Sequence, residues 1–211
     1  MGSDVRINGE LLTLRSAEVD AATGDALERV IVRRGSTRRF SRESITLPQL
    51  STILAASACG LNADFHEHDA SRLNDVFIIV NAVDGLPQGS YAYHPDEDGL
   101  ELIEAGDFRS QAGHLGLSQE LPADASVNIY FLSDLKSVLG NYGNRGYRAA
   151  QLDASIRAGR IYLASYAQRI GATGLTFFDD GVTEFFSPLA EGRSVMFLIA
   201  VGRRDRSHLV G

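Results

Sequence analysis

The arginine-rich stretch Arg33-Arg34-Gly35-Ser36-Thr37-Arg38-Arg39-Phe40 is the most informative segment of this chain. Forked guanidinium groups, hydroxyls and a glycine backbone are the donors with which proteins hold a phosphate. We expect Arg34 and Arg38 to clamp such a group, Ser36 to add a hydroxyl donor and Gly35 to expose backbone N–H groups. Arginine runs also occur as solvated basic turns. The residues around the stretch are therefore needed to distinguish a phosphate-binding segment from such a turn.

Two predicted helices bracket the arginine-rich stretch. Asp25 is placed to cap the first helix, and Gly35 lies where that helix ends. Thr46, followed by Pro48 in the first turn, begins a second helix that continues to Gly60. The stretch is therefore expected to connect two helices near the start of the domain.

The apolar pattern beyond residue 75 predicts a sheet. Residues 76–80, 127–132 and 195–201 are apolar runs typical of buried strands. Residues 89–94 and 100–103 flank an acidic turn, which predicts an antiparallel hairpin. Because strands and helices alternate irregularly, we predict an α+β fold.

A long helix is predicted from about residue 145 to residue 170, with Gly171 closing it. Small and large apolar residues occupy more than one of its faces, which is typical of a helix in a core or an oligomer interface. The stretch Gly171-Ala-Thr-Gly174 either lets backbone approach a planar ligand or simply turns the chain into a strand. Residues 141–147 are predicted as a loop, in which a tyrosine is able to donate or relay a proton.

Length and composition limit the organisation of the chain. With 211 residues, 44% of them hydrophobic, we expect one domain at residues 25–211 after an N-terminal arm of residues 1–24. The net charge of −7 argues against nonspecific nucleic-acid binding, which uses basic surfaces. No apolar run reaches the roughly 18–20 residues that span a bilayer, and no signal-peptide pattern opens the chain. We therefore expect a soluble, cytoplasmic protein.

Two other groups of residues invite a chemical interpretation. Cys59 is the only cysteine, which excludes an intrachain disulfide, and we expect a small core residue rather than a nucleophile. The segment His66-Glu67-His68 has no third ligand at a known spacing, so we predict a solvated loop and no metal site.

Four features, taken in order along the chain, resemble the nitroreductase superfamily and more closely its SagB-type dehydrogenase branch. Arg34-Gly-Ser36-Thr-Arg38-Arg-Phe40 resembles the N-terminal Arg-x-Ser-x-Arg/Lys-x-Phe/Tyr motif of the superfamily. Residues 85–107 are similar to the hairpin of the branch, and residues 142–148 to the motif that leads into its long helix. Gly171-Ala-Thr-Gly174 and Val201-Gly-Arg203 match the segments that touch the flavin ring and close the last core strand. The resemblance covers roughly residues 25–204.

The resemblance implies a nitroreductase-like α+β fold with a central, mostly antiparallel sheet flanked by helices. It also implies a homodimer that carries FMN, with both chains lining each flavin pocket. Arg34, Gly35, Ser36 and Arg38 match the residues that hold the FMN phosphate and ribityl chain. Arg203 is expected to reach the phosphate from the end of the last strand.

The remaining site residues are also implied by the resemblance. Gly174 and Leu175 would face the flavin ring with their backbone, and Ser71 and Asn74 would contact the ribityl chain. Tyr142 is the expected catalytic residue, as the group that handles a proton.

The implied activity is that of an FMN-dependent oxidoreductase, which moves a hydride between a small-molecule or peptide-derived substrate and an acceptor. Asn141 stands where azoline-oxidising members have a lysine before the tyrosine, so oxidation of a heterocycle is not predicted. Two alternatives stay open. One is a nitro- or quinone-reductase with NAD(P)H as the electron donor, and the other is a flavin-free scaffold subunit of the same fold.

Overall fold

The computed structural model describes residues 11–14, 25–60, 63 and 72–205. The helices are α1 (Leu27–Arg33), α2 (Leu47–Ala58), α3 (Arg109–Leu115), α4 (Glu120–Asp124), α5 (Leu135–Tyr142), α6 (Gly146–Ala167) and α7 (Asp179–Phe185). The strands are β1 (Leu11–Thr13), β2 (Ile45–Thr46), β3 (Asp75–Val80), β4 (Val83–Asp84), β5 (Gly89–His94), β6 (Gly99–Ala105), β7 (Val127–Ser133), β8 (Gly171–Leu175) and β9 (Ser194–Gly202).

The longer strands form a central seven-stranded sheet in the order β1-β6-β5-β3-β7-β9-β8. Every neighbouring pair in this sheet is antiparallel, whereas β2 and β4 form a separate parallel pair. The predicted α+β fold is therefore confirmed, and the predicted hairpin is the β5–β6 pair. β8 is an outer strand, so the segments beside it have access to its free edge.

The central sheet separates two layers of helices. Successive side chains of β3 point to opposite faces, as in any strand. Val76 and Ile78 belong to the core shared with α2 and α6, whereas Phe77 and Ile79 belong to the core shared with α3 and α7. All four are buried, which confirms the prediction of a strand covered on both faces.

The sequence predicted the cap of α2 but not that of α1. Thr46 Oγ1 accepts a hydrogen bond from the Gln49 N–H at 3.3 Å, and the Gln49 side chain accepts one from the Thr46 N–H at 3.0 Å. Asp25 does not cap α1, whose N-cap makes no side-chain bond. It pairs instead with Arg33 and Arg169, so that it ties α1 to the end of α6.

The predicted loop before the long helix is a tight connection between two helices. α5 ends at Tyr142, one 3₁₀ turn follows, and α6 begins at Gly146. Gly143 has the left-handed conformation (φ 59°) that this connection requires. A Cβ at Gly146 would lie 2.8 Å from the Val138 carbonyl oxygen. Gly143 therefore provides the backbone conformation of the connection and Gly146 its close packing, although their pattern predicted a loop.

α6 ends earlier than predicted. Its C-cap is Gln168, and Arg169 takes the left-handed conformation (φ 64°) that a glycine usually adopts there. Gly171, which was predicted to close the helix, is the first residue of β8. Gly171 therefore does not cap α6, and it allows the close packing of Thr37 and Arg204 against β8.

Three expectations about isolated features have different outcomes. Cys59 is exposed, so the prediction that it belongs to the core is wrong. None of the helices that the structure describes has the length and apolarity needed to cross a membrane. Within the same described ranges no three His, Cys, Asp or Glu side chains are placed to hold a metal ion. The segment His66-Glu67-His68 lies outside these ranges.

Candidate functional site

The arginine-rich stretch lies between the start of β8 and the end of β9. The Thr37 N–H donates to the Ala172 carbonyl at 2.9 Å, and the Ser41 N–H donates to the Arg203 carbonyl at 3.0 Å. These backbone hydrogen bonds bring together the three segments that were predicted to bind the cofactor. They meet at one corner of the central sheet.

The arginine-rich stretch has two buried side chains, and most of its other residues are exposed. Thr37 and Phe40 are buried, whereas Arg34, Ser36 and Arg38 are exposed. The buried pair fixes the backbone to the core, and the three predicted phosphate ligands are left accessible to a ligand. This is the arrangement expected of a binding segment.

Ion pairs divide the arginines of this region into two groups. Arg33 and Arg42 are each paired with an aspartate. For Arg34 and Arg38, residues 25–60 and 72–205 provide no carboxylate within salt-bridge distance. Arg39 is likewise exposed and takes part in none of these ion pairs, and of the three arginines the motif predicts Arg34 and Arg38 as the cations that hold an anionic ligand.

Tyr162 of α6 joins the arginine-rich stretch to β8. Its hydroxyl accepts a hydrogen bond from the Gly174 N–H at 2.5 Å and lies 3.4 Å from Ser36 Oγ. The Arg34 guanidinium lies over its ring, 5.4 Å from the centroid. Tyr166, one turn later on the same helix face, lies 3.4 Å from Thr37 Oγ1. The contacts of these two tyrosines were not predicted, although their i, i+4 spacing before Gly171 was a usable signal.

The two glycines of β8 allow this packing. A Cβ at Gly171 would overlap the side chains of Thr37 and Arg204, and a Cβ at Gly174 would lie 3.1 Å from the Phe197 ring. The Gly174 N–H, which belongs to the backbone expected to face the flavin ring, is already donated to the Tyr162 hydroxyl. Both glycines lie within a strand, so neither forms a helix C-cap.

Cations from the end of β9 extend the site. Arg203 is exposed, and its Nε donates to the Ser44 carbonyl at 2.9 Å. A cavity of about 390 Å³ is lined by Ser41, Glu43, Arg169, Arg203, Arg204 and Asp205. The Arg204 guanidinium lies 5.4 Å from the Tyr166 ring centroid, and its buried Nε has no hydrogen-bond partner among the described residues. Arg204 was not predicted from the sequence.

Asn74 is placed elsewhere. It is only 3% exposed, and its amide group donates to the Ala150 carbonyl at 2.9 Å and to Asp153 Oδ2 at 2.7 Å. The same carboxylate pairs with Arg157 at 3.2 Å. The amide nitrogen of Asn74 is therefore used within the protein, and the contact between this side chain and the cofactor stays a prediction. Ser71 lies outside the described residues.

Tyr142 is also distant from the corner of the sheet. It lies at the end of α5, just before α6 begins at Gly146, and it packs against the main core. Gly146 and Tyr162 are separated by about 24 Å along the axis of α6, at 1.5 Å per residue. Within one chain, the structure does not bring Tyr142 to Gly174.

One protein-family model spans the segments that form this site. The model of the nitroreductase family matches residues 31–203, from α1 to the end of β9. The chain belongs to the nitroreductase family. The matched residues include the arginine-rich stretch, both tyrosines of α6 and the two glycines of β8. The predicted superfamily is confirmed, whereas the SagB-type branch stays a prediction.

Known proteins resemble this nitroreductase-family chain to different extents. A nitroreductase-like protein of Methanocaldococcus jannaschii is 24% identical over 184 residues, which cover 84% of this chain and 91% of that protein. A nitroreductase-like crystal structure from Anabaena variabilis is 33% identical with a TM-score of 0.77. That match covers 85% of this chain but 38% of the other, so this chain spans well under half of that relative.

A third relative was solved with a cofactor. It is a nitroreductase-like protein of Desulfovibrio desulfuricans in complex with FMN. Its identity to this chain is 17% and the TM-score is 0.57, with 86% of this chain and 88% of that chain covered. At this identity the comparison shows a shared fold.

Proposed function

We propose that this nitroreductase-family chain is an FMN-dependent oxidoreductase. One observation carries the proposal. Two exposed arginines that have no carboxylate partner among the described residues, Arg34 and Arg38, lie beside Ser36 and the outer strand β8. Such a set of donors fits a ligand that has a phosphate at one end and a planar, hydrogen-bonding ring at the other.

The residues present fit FMN in their chemistry. Arg34 and Arg38 would hold the phosphate with forked hydrogen bonds, and Ser36 and the Gly35 backbone would add donors. Arg203 and Arg204 line a cavity at the same corner of the sheet and add positive charge to it. FMN, when bound, supplies the hydride-transfer chemistry, and the protein supplies orientation and electrostatics.

The edge of β8 would orient the ring. Gly174 has no side chain, so a flat ligand would approach its backbone closely, while its N–H stays bonded to the Tyr162 hydroxyl. Leu175 follows with its side chain packed partly into the core, which leaves its backbone as the group that would face the ring. These contacts would bind and orient the cofactor without taking part in the chemistry.

We propose further that the active form is a homodimer. Tyr142, the last residue of α5, lies beyond the far end of α6 and does not reach the Gly174 corner of its own chain. In a homodimer, Tyr142 would serve the site of the other copy, where its hydroxyl would hold or move a proton. Tyr147 and Leu152, both exposed on α6, supply apolar surface for such a contact.

A flavin-binding measurement tests the proposal. The variant Arg34→Ala/Arg38→Ala is expected to weaken FMN binding by at least about tenfold, because each charge-assisted bond to phosphate contributes of the order of 1.5–3 kcal/mol. Arg42→Ala is the matched control, since Arg42 belongs to the same segment but is paired with Asp124. Fluorescence quenching of FMN on titration with protein gives the affinity of all three proteins.

The outcomes separate the candidate functions. A wild-type protein that neither quenches FMN fluorescence nor shows flavin absorbance when supplied with FMN would be a flavin-free scaffold. If FMN binds, anaerobic addition of NADPH distinguishes two electron sources. Bleaching of the flavin absorbance indicates an NAD(P)H-dependent reductase, and persistence of the absorbance indicates a dehydrogenase that takes electrons from its own substrate.

A further inference from the structure

The hydroxyl of Tyr162 holds an unusual position at the corner of the sheet. It lies between Ser36, which belongs to the predicted phosphate motif, and Gly174, which belongs to the strand predicted to face the ring. Its ring is partly buried, and Arg34 covers it at 5.4 Å from the centroid. The hydroxyl is therefore held between the segment predicted to bind the phosphate and the strand predicted to face the ring.

The two hydrogen bonds of this hydroxyl differ in quality. The Gly174 N–H has no alternative role than donor, so the Tyr162 oxygen is the acceptor in the 2.5 Å contact. The O–H proton is then available for a different partner. The acceptor in reach is Ser36 Oγ at 3.4 Å, well beyond the usual 2.7–2.8 Å of an O–H···O bond. Within the described chain, the Tyr162 proton has only this weak acceptor.

A donor of this kind is strengthened by its neighbour. When an N–H donates to a hydroxyl oxygen, the O–H of that hydroxyl becomes a better donor, because hydrogen bonds in a chain polarise one another. The Gly174 N–H therefore acts on a ligand through Tyr162 rather than directly.

We propose that the Tyr162 hydroxyl donates a hydrogen bond to an oxygen or nitrogen acceptor of the bound cofactor in the part of the molecule that excludes the phosphate. The inference rests on the proposed function. It makes Tyr162 a cofactor-binding residue whose contact is independent of the arginine clamp. Tyr166, with its hydroxyl directed to buried Thr37, has no such role.

The test compares FMN with riboflavin, which has the same ring and ribityl chain but no phosphate. Tyr162→Phe keeps the ring under Arg34 and removes only the hydroxyl. It is expected to weaken both FMN and riboflavin by about the same factor, close to tenfold for one hydrogen bond. Arg38→Ala is expected to weaken FMN alone. Tyr166→Phe, the matched hydroxyl deletion one turn away, is expected to change either affinity less than threefold, within about 0.6 kcal/mol.

Each outcome decides the matter. Unchanged affinity of Tyr162→Phe for both ligands overturns the inference, and so does a loss that disappears with riboflavin, because the contact would then be to the phosphate. An equal loss in Tyr166→Phe also overturns it, since a general packing effect would explain both variants. Circular dichroism and thermal unfolding of each variant show whether the fold is retained. If the wild type binds neither ligand, the proposed function itself fails and this inference fails with it.

Discussion

Gly171 lies where the arginine-rich stretch, β8 and the end of β9 meet. The Thr37 side chain and the Arg204 side chain both occupy space that a Cβ at this position would need. Thr37 is buried and bonded through its N–H to Ala172, so it has little freedom to move aside. The absence of one methyl group therefore sets the distance between the candidate phosphate motif and the sheet.

Gly171→Ala is expected to destabilise the fold by about 1–3 kcal/mol through overpacking, and to weaken FMN binding by displacing residues 36–38. Chemical denaturation and FMN titration measure the two effects. Gly140→Ala is the control, because a Cβ there meets nothing within 4 Å and α5 surrounds it. That control is expected to be neutral or to stabilise by about 0.5–1 kcal/mol. Equal stability of both variants would show that Thr37 and Arg204 relax freely.

The arginines show which features of the candidate site were predictable from the sequence. Arg34, Ser36 and Arg38 were predicted as ligands from the motif alone, and their side chains are exposed, as is that of Arg39. Which arginines have structural partners was not predictable, because the carboxylates that pair with Arg33 and Arg42 are brought near by the fold. Partner choice of this kind is a tertiary property that local sequence does not contain.

α6 carries a buried ionic network at its middle. Arg157 is fully buried, donates to the Ser57 carbonyl at 2.6 Å and to the Asn74 carbonyl at 2.7 Å, and pairs with Asp153 at 3.2 Å. The Asp153 carboxylate also accepts from the Leu73 N–H at 3.2 Å. Burial lowers the pKa of Arg157, and the charge of Asp153 opposes that shift. The network attaches the end of α2 and the start of β3 to one helix.

Asp153→Ala is expected to lower the free energy of unfolding by about 3–5 kcal/mol, because it leaves a buried guanidinium without its counter-charge. The double variant Asp153→Ala/Arg157→Ala is expected to cost less than the sum of the two single variants by about 1–3 kcal/mol. Urea denaturation of the wild type and the three variants provides the full cycle. Additive losses would contradict a coupled network.

Elements with strong local signals were predicted well. Three of these features depend on residues that are close together in the sequence: the Thr46 cap, the apolar runs of the core strands and the acidic hairpin turn. Gly143 and Gly146 led to the wrong prediction of a loop, because glycine occurs both in flexible loops and in tight contacts between helices. Arg169 was missed as the residue that ends α6, because a left-handed arginine is held there by its surroundings, including Asp25. These failures share one cause, which is that tertiary contacts override local preference.

For the whole molecule, the predicted site residues fall into two groups at opposite ends of α6. Arg34, Ser36, Gly174 and Arg203 lie at one corner of the sheet, and Tyr142 precedes the other end of the helix. A single chain has no way to bring them together without unfolding α6. A second copy packed on the exposed face of α6 would supply the missing group.

Leu152→Asp tests this arrangement. Leu152 is 46% exposed on α6, so a carboxylate there should leave the monomer folded while placing an unpaired charge in the proposed interface. We expect the wild type to be a dimer and Leu152→Asp to be mainly a monomer by light scattering after size exclusion, with weaker FMN binding. Leu117→Asp is the control, since Leu117 is 39% exposed, lies after α3, and its left-handed backbone (φ 59°) suits aspartate better than leucine.

The control variant should stay dimeric and bind FMN as the wild type does. A wild type that is monomeric at micromolar concentration and still binds FMN would contradict the dimer, and Tyr142 would then have no part in the site. A dimer that survives Leu152→Asp with unchanged affinity would place the interface on another surface. Dissociation together with loss of FMN would link the two groups of residues through the second copy. Tyr142 would then be available to the site of its partner.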